Sequence, residues 1–396
     1  MGKKPRLLVF TQWFAPGYRA GGPIRSTTNL VGLLEDRFDI HVVTSDRDFG
    51  SAEPYPGLTA DQWLPHGAAS RVMYLSPARQ TRARMRALMA EVNAECTYLN
   101  SMFSPRFTLL PLSCARWRAA GGRLVVAPRG ELLDGALQYK RLKKVACLTA
   151  MRATGTLRGV TFHATDDQEQ RAILARLRVN PARIHVLPNV PEPPVREVTP
   201  LVKRPGAVSL LFLSRVAPKK NLLFLLDCLR TVPETVVTRL TIAGPTEDPA
   251  YWEQCSNRIA ALPAHVVVTV TGAVSHDRVR TAMAAHHCYV LPTFGENYGH
   301  AIAEALGTGR PVLISDQTPW RGLEAAGAGW DLPLSDPGAF RDAIVTLAGM
   351  DQPAFDALAG SALSYARTRI RASTLTEDYA TLFGHDMPPT SQPGSP

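Results

Sequence analysis

Short apolar runs alternate with helical periodicity along nearly the whole chain, and this alternation limits the possible folds more than any other feature. In the first half, strand-like runs fall at Arg6–Phe10, Ile40–Thr44, Val72–Leu75, Cys96–Leu99, Leu124–Ala127, Gly159–His163 and Ile184–Leu187. Between them lie helical patterns such as Pro23–Leu34, Arg82–Glu91, Phe107–Ala119, Gln138–Thr154 and Thr165–Leu177. Such a succession predicts an α/β fold built on doubly wound parallel sheets. The proline-rich stretch that starts at Pro188 reads as a stiff linker reaching about Val208. The alternation then restarts with strands at Leu210–Leu213, Arg239–Ala243, Val266–Thr271, Cys288–Leu291 and Pro311–Ser315, and with helices at Leu222–Arg230, Pro249–Ala261 and Asp277–Ala284. Two Rossmann-like domains are therefore expected, 1–195 and 208–370, facing each other across a cleft, with ligands at the C-terminal ends of the strands. A stretch at 371–385, within the apolar pattern Ala357–Phe383, is expected to return as a helix to the first domain. The Pro/Ser-rich tail 386–396 is expected to be disordered.

The 396 residues are enough for two cores, and 45% hydrophobic against 20% charged residues excludes general disorder. The six cysteines (96, 114, 147, 228, 255 and 288) are scattered, with no C-x-x-C pair and no histidine at metal spacing. This predicts free thiols, a reducing cytoplasmic compartment and no bound metal. No apolar run approaches the roughly 20 residues of a membrane span, and the run after the basic N-terminus is too short for a signal peptide. The net charge of +10 includes clusters at Arg79, Arg82, Arg84 and Arg86 and at Lys140, Arg141, Lys143 and Lys144. Without a recognisable nucleic-acid module or interleaved aromatics, nucleic acid is not the expected partner. Solvated helix faces and an anionic membrane surface both remain open.

Between Pro292 and Leu313 the sequence PTFGENYGHAIAEALGTGRPVL reads as a strand end, a polar turn, an amphipathic helix and a further strand. Glu296 lies in the turn and Glu304 in the helix. Asn297 is the expected N-cap, and backbone N–H groups at Tyr298, Gly299 and His300 suit an anion such as a diphosphate. A carboxylate on either side suits sugar hydroxyls. Earlier, strand Leu210–Leu213 ends in Ser214-Arg215-Val216-Ala217-Pro218-Lys219-Lys220-Asn221, so that Arg215 and Lys220 present cations at a strand's C-terminal edge. Gly21 and Gly22 follow the first strand and allow close backbone approach, with Arg25 just beyond, although a Gly-Gly pair also marks ordinary loops. Arg129 follows the strand at Leu124–Ala127. His163 ends another strand, as an acceptor contact or a satisfied buried histidine. Gly244 and Gly272 end strands of the second domain, either to admit a nucleotide or as turn glycines. Thr318-Pro319-Trp320-Arg321 would wall a pocket or pack the domain. Asp166 and Asp167 suit a helix start, and no further ligand supports them as a metal pair.

E-N-Y-G-H-A-I-A-E followed by A-L-G-T-G-R-P-V resembles the E-x7-E signature of family 4 (group 1) retaining glycosyltransferases of the GT-B fold, of polysaccharide-assembly type. S-R-V-A-P-K-K-N resembles the same family's G-R-x-x-P-x-K-G, with Ser214 and Asn221 in place of its glycines. The resemblance implies transfer of a sugar from a nucleotide-diphosphate donor to a glycan or polyprenyl-linked acceptor in cell-surface polysaccharide biosynthesis. Such an enzyme would need no metal or cofactor and would work in the cytoplasm, peripheral at the inner face of its membrane. Arg215 and Lys220 would hold the donor phosphates, Glu304 the ribose, and Glu296 the donor sugar. Asn297, Tyr298, Gly299 and His300 would line the diphosphate, with Gly244 and Gly272 near the nucleotide. Gly21, Gly22, Arg25, Arg129 and His163 would serve acceptor or phosphates from the first domain. Many members carry a histidine near the turn where this chain has Arg129, which implies a fixed charge there instead. A GT-B sugar-nucleotide epimerase and a non-catalytic sugar-nucleotide-binding subunit are the alternatives. An NAD-linked oxidoreductase is discounted because no G-x-G-x-x-G follows the first strand.

Overall fold

The computed structural model describes residues 4–114, 122–133, 137, 141–246, 248–370 and 372–384. Lys140, the 115–119 end of the helix expected from Phe107, the start of the helix expected from Gln138 and the tail 386–396 lie outside the described residues. The chain divides into two units, residues 1–190 with 372–396, and residues 191–371.

In the first unit the strands are β1 (Arg6–Phe10), β2 (Asp39–Ser45), β3 (Trp63–His66), β4 (Ser70–Leu75), β5 (Cys96–Asn100), β6 (Arg123–Ala127), β7 (Thr161–Ala164) and β8 (Ile184–Val186). They form one sheet in the order β3-β4-β2-β1-β5-β6-β7-β8. Every pairing is parallel except β3 with β4. β3, which the alternation did not reveal, is an edge strand that carries Pro65; an edge tolerates proline because its missing N–H faces away from the ladder. The central strands have buried side chains on both faces, as a sheet covered by helices on both sides requires. Helices α1 (Gly22–Leu34), α2 (Arg82–Val92), α3 (Arg141–Ala153) and α4 (Asp167–Leu177) accompany it. Among residues 105–113 the backbone makes two short helical turns, Pro105–Leu109 and Leu110–Ser113, rather than the regular helix expected from Phe107; Pro105 and Pro111 each remove an N–H from the segment.

The second unit has β9 (Ala207–Leu213), β10 (Val237–Ala243), β11 (Val266–Gly272), β12 (Cys288–Leu291), β13 (Val312–Ser315) and β14 (Gly329–Leu332). Its sheet is parallel throughout, in the order β11-β10-β9-β12-β13-β14. Helices α5 (Leu222–Leu229), α6 (Pro249–Ala260), α7 (His276–Ala284), α8 (His300–Gly307), α9 (Pro337–Gly349) and α10 (Gln352–Arg369) cover it. Asp248, Asp336 and Asp351 cap three of these helices by accepting first-turn N–H groups.

One expectation changes. The stretch expected as a linker is no free spacer beyond Val190, because its backbone is tied to the second unit. Val195 N–H donates to the Gly307 carbonyl (2.8 Å), and the buried Arg310 guanidinium donates to the Thr199 carbonyl (2.7 Å). The helix expected at 371–385 is present, and it is separate from the helix that precedes it within the pattern Ala357–Phe383. α10 stays with the second unit, and α11 (Ala372–Leu382) belongs to the first. There Tyr379 and Phe383 are buried, the Tyr379 hydroxyl donates to the Pro188 carbonyl (2.9 Å), and Arg123 donates to the carbonyls of Thr381 and Leu382 (3.0 and 2.9 Å). α11 therefore completes the core on the β1–β2 side of the first sheet, beside Leu30 and Phe38.

Candidate active site

A parallel sheet whose order reverses leaves a crevice beyond the strand ends where connections depart in opposite directions. In the second unit that reversal falls between β9 and β12, and the turns leaving these two strands are joined there. After β9, Pro218–Lys220 makes a single 3-10 turn, and Asn221 leaves it with φ +58°. This left-handed position explains why asparagine stands where a glycine would otherwise be expected, since its short polar side chain tolerates that region. After β12, Phe294 N–H and the buried Thr293 hydroxyl both donate to the Lys219 carbonyl (2.9 and 3.1 Å). The Thr293 carbonyl accepts from the Ser315 hydroxyl at the end of β13 (2.5 Å), and Glu296 N–H donates to the Gln317 carbonyl (3.2 Å).

With the loops held in this way, Lys220 Nζ and Glu296 Oε1 form an ion pair, each side chain 14% exposed. Lys219, exposed at the same turn, adds a second cation. Its ammonium titrates below the ordinary lysine range, first through crowding by the protein and then through the Lys220 and Arg215 charges, with Glu296 pulling the other way. Arg215 is exposed on the same turn. Beneath the pair, the buried Tyr289 hydroxyl donates to the Leu213 carbonyl (3.2 Å). Burial raises its pKa, and the charges of Glu296 and Glu304 raise it further.

The helix that carries Glu304 does not begin as expected. Gly299, not Asn297, is the N-cap, with φ +79° and no side chain of its own to cap the first turn. Ile302 and Trp320 crowd the space a Cβ on Gly299 would need, at 2.8 Å and 3.5 Å. Trp320 Nε1–H donates to the Tyr298 carbonyl (2.6 Å), and its ring meets the Tyr298 ring edge to face at 5.6 Å. Tyr298 and His300 rings lie 4.9 Å apart. Trp320, in the segment that sequence left open between pocket wall and packing, thus holds the entrance of α8. Gly244 has a structural reason that needs no nucleotide: a Cβ there would lie 1.9 Å from the Ser214 carbonyl oxygen. Its N–H donates to the Gly272 carbonyl (2.7 Å), so the two glycines tie strand ends together.

In the first unit, Gly21 has φ +68° and caps α1, whose first residue is the exposed Gly22. The approach to them is held by Asp48, which accepts from the N–H groups of Tyr18 and Arg19 (2.9 and 3.1 Å). Arg25 is half-buried in the first turn of α1. Arg129 has φ +55°, and its guanidinium donates to Asn100 Oδ1 (2.6 Å), to the Tyr98 hydroxyl (2.7 Å) and to Asn189 Oδ1.

His163 is corrected from substrate contact to core. It is fully buried, with Nδ1 accepting from the Tyr98 hydroxyl (2.8 Å) and Nε2–H donating to the Leu187 carbonyl (2.9 Å). Burial first, then the Arg129 charge, push its pKa down to about 3. Sequence analysis missed Tyr98, Asn100 and Asn189. The one available signal was a polar Asn100 closing an otherwise apolar strand.

Two sheets, parallel but for the edge strand β3, with a charged pair beyond the switch point of the second, define a Rossmann-type, two-unit α/β class whose solved counterparts are GT-B glycosyltransferases. Residues 207–349 match the family described as glycosyl transferases group 1. A phosphatidyl-myo-inositol mannosyltransferase of Mycobacterium leprae is 32% identical over 143 residues, 35% of this chain and 37% of that protein. The chain thus matches little more than a third of that relative's length. Among solved structures, HepE of Anabaena, in complex with UDP and glucose, superposes with a TM-score of 0.67 at 16% identity, covering 95% of this chain and 98% of that one. A sucrose-phosphate synthase of Thermosynechococcus elongatus gives 0.65 at 15% identity, with coverage of 96% and 98%. The second unit thus carries a segment that matches the group 1 glycosyltransferases, and the fold of the whole chain is the GT-B fold of these solved structures.

A histidine whose folded-state pKa is depressed stabilises the fold above its unfolded value near 6.5, and that stability is lost as pH falls toward 3. His163→Gln is therefore expected to lose stability less steeply than the parent between pH 7 and pH 5. The difference at pH 5 is about 2 kcal/mol, from 1.5 pH units at roughly 1.4 kcal/mol each. Urea unfolding at the two pH values measures it, and identical slopes would remove the neutral-core assignment.

Proposed function

We propose that this chain transfers a sugar from a UDP-sugar to a hydroxyl of a glycan or polyprenyl-linked acceptor, with retention of the anomeric configuration, in polysaccharide assembly. The observation that carries the reading is the Lys220–Glu296 pair beyond the β9–β12 switch point, inside the segment that matches the group 1 family. HepE, solved with UDP and with UDP-glucose, supports the choice of donor.

In this reading, departure of the diphosphate leaves a sugar with oxocarbenium character, and stabilising the leaving charge is the main electrostatic task. Lys220 exchanges Glu296 for the donor phosphates, assisted by Arg215 and Lys219 on the same turn. Glu296, released from the ion pair, takes hydroxyls of the donor sugar. The start of α8 at Gly299 and His300 supplies further positive potential, and Tyr298 and Asn297 line its approach. Glu304, one turn into α8, takes the ribose hydroxyls. The first unit takes the acceptor beside Gly21, Gly22, Arg25 and Arg129. These cations do the work for which other transferases recruit a metal ion.

No helix among the described residues is long and apolar enough to cross a membrane. α3, however, exposes Leu142 (86%) and Val145 (48%), one helical turn apart, beside Arg141 and Lys143. Apolar side chains within a basic rim suit an anionic lipid surface, which would bring the enzyme to a lipid-linked acceptor.

Lys220→Ala is expected to lower kcat by about 10²–10³-fold. Nucleotide release from UDP-sugars measures it, and parental turnover in the variant would remove the phosphate assignment. Full activity is expected after treatment with excess EDTA, and strict dependence on a divalent cation would exclude the metal-free scheme. In co-sedimentation with vesicles, binding is expected to anionic but not zwitterionic lipid and to fall in the Leu142→Glu/Lys143→Glu variant. Equal binding by parent and variant would remove α3 as the contact.

A further inference from the structure

The first unit has its own switch point, between β1 and β5: β1 leads to β2 on one side, while β5, β6, β7 and β8 continue on the other. Asn100, the last residue of β5, spans that point. Its amide N–H groups donate to Thr11 just beyond β1 (3.3 Å) and to Thr27 in α1 (2.6 Å), and its carbonyl accepts from Arg129 (2.6 Å). The Arg129 guanidinium is thus fixed beyond the strand ends where an open α/β sheet takes its ligand.

Its supports carry no charge. Tyr98, Asn100 and Asn189 are all buried and neutral, and they use three of the five N–H bonds of a guanidinium. The Tyr98 hydroxyl can accept from Arg129 because it donates onward to His163, which donates to the Leu187 carbonyl. Protonated His163 would present a donor where that hydroxyl needs an acceptor.

The nearby carboxylates are occupied elsewhere. Glu169, fully buried, accepts from Gly130 N–H and from the N–H and hydroxyl of Thr165 (2.8 and 2.6 Å). Glu131 accepts from the N–H groups of Met102 and Phe103 (2.7 and 3.0 Å) and from the Ser101 hydroxyl. Among the described residues, Arg129 forms no salt bridge. A half-buried cation held rigidly by neutral groups, at a cost in desolvation and in a left-handed backbone, is an arrangement that an incoming anion repays.

We propose that Arg129 is the centre of an oxyanion site in the first unit, so that the acceptor carries an anionic group beside the hydroxyl that is glycosylated. This rests on the transferase reading, with the acceptor on the first unit. The two remaining N–H bonds suit an oxyanion with two acceptor oxygens, either a phosphate or diphosphate of a lipid-linked acceptor or the carboxylate of an acidic sugar.

Calorimetric titration of the full chain tests it, with inorganic phosphate, methyl β-glucuronide and neutral methyl β-glucoside as probes. The Lys220→Ala background keeps phosphate binding at the second unit from being counted. Phosphate or glucuronide, whichever matches the acceptor, is expected to bind this background and to weaken about ten- to hundredfold on adding Arg129→Met. Arg129→Lys should retain part of the affinity. Tyr98→Phe, which removes one support and keeps the charge, should weaken binding less than Arg129→Met and serves as a second variant if Arg129→Met unfolds. Methyl glucoside should be insensitive to all three. No binding of either anion to the Lys220→Ala protein, or equal binding with and without Arg129, overturns the proposal. Failure of the donor reading would appear separately, as UDP binding unaffected by Lys220→Ala.

Discussion

The candidate site depends first on a main-chain oxygen. The Lys219 carbonyl, between two basic side chains, accepts from Thr293 and Phe294 and so joins the turn after β9 to the turn after β12. These turns are some seventy residues apart in sequence, and their meeting brings Lys220 to Glu296. Because the join is made by backbone and a buried threonine, the charged side chains remain available for chemistry. The site is a pair of ordinary turns made specific by where the sheet order reverses.

The first unit reaches a comparable arrangement by other means. Its turn after β6 is held in a left-handed conformation at Arg129 and Gly130, with the Gly130 N–H captured by the buried Glu169. A neutral chain of hydrogen bonds, Arg129 to Tyr98 to His163 to Leu187, then fixes the guanidinium. Both units place a cation beyond a switch point. In the second it has a carboxylate partner, and in the first its partners are neutral.

Much of this was legible in the sequence because period and breakers report backbone state directly. Strands β1 and β12 begin and end where their apolar runs do, and the turn after β9 falls where the Pro218–Asn221 breakers stand. Two kinds of feature were not legible. Trp63–His66 and Gly329–Leu332 are short strands with proline or glycine, which pairing rather than pattern stabilises. The roles of His163 and Gly244 depend on neighbours distant in sequence: the Tyr98 hydroxyl and Leu187 carbonyl for one, the Ser214 backbone for the other. An isolated residue type cannot distinguish a ligand contact from a satisfied core group when the distinction lies in who donates to it. Asn297 is not the N-cap for a related reason: that position falls at Gly299, whose φ of +79° and close neighbour Ile302 suit only a glycine.

α11 has a consequence for the order in which the protein is made. Residues 191–371 are contiguous, so the second unit has all its parts once that stretch leaves the ribosome. The first unit, although translated first, lacks Tyr379 and Phe383 from its core until the chain has been extended past them. During synthesis that face of its sheet, on which α1 also lies, lacks part of its apolar cover while nearly two hundred intervening residues are added. The first unit therefore cannot complete its core until every residue of the second has been made.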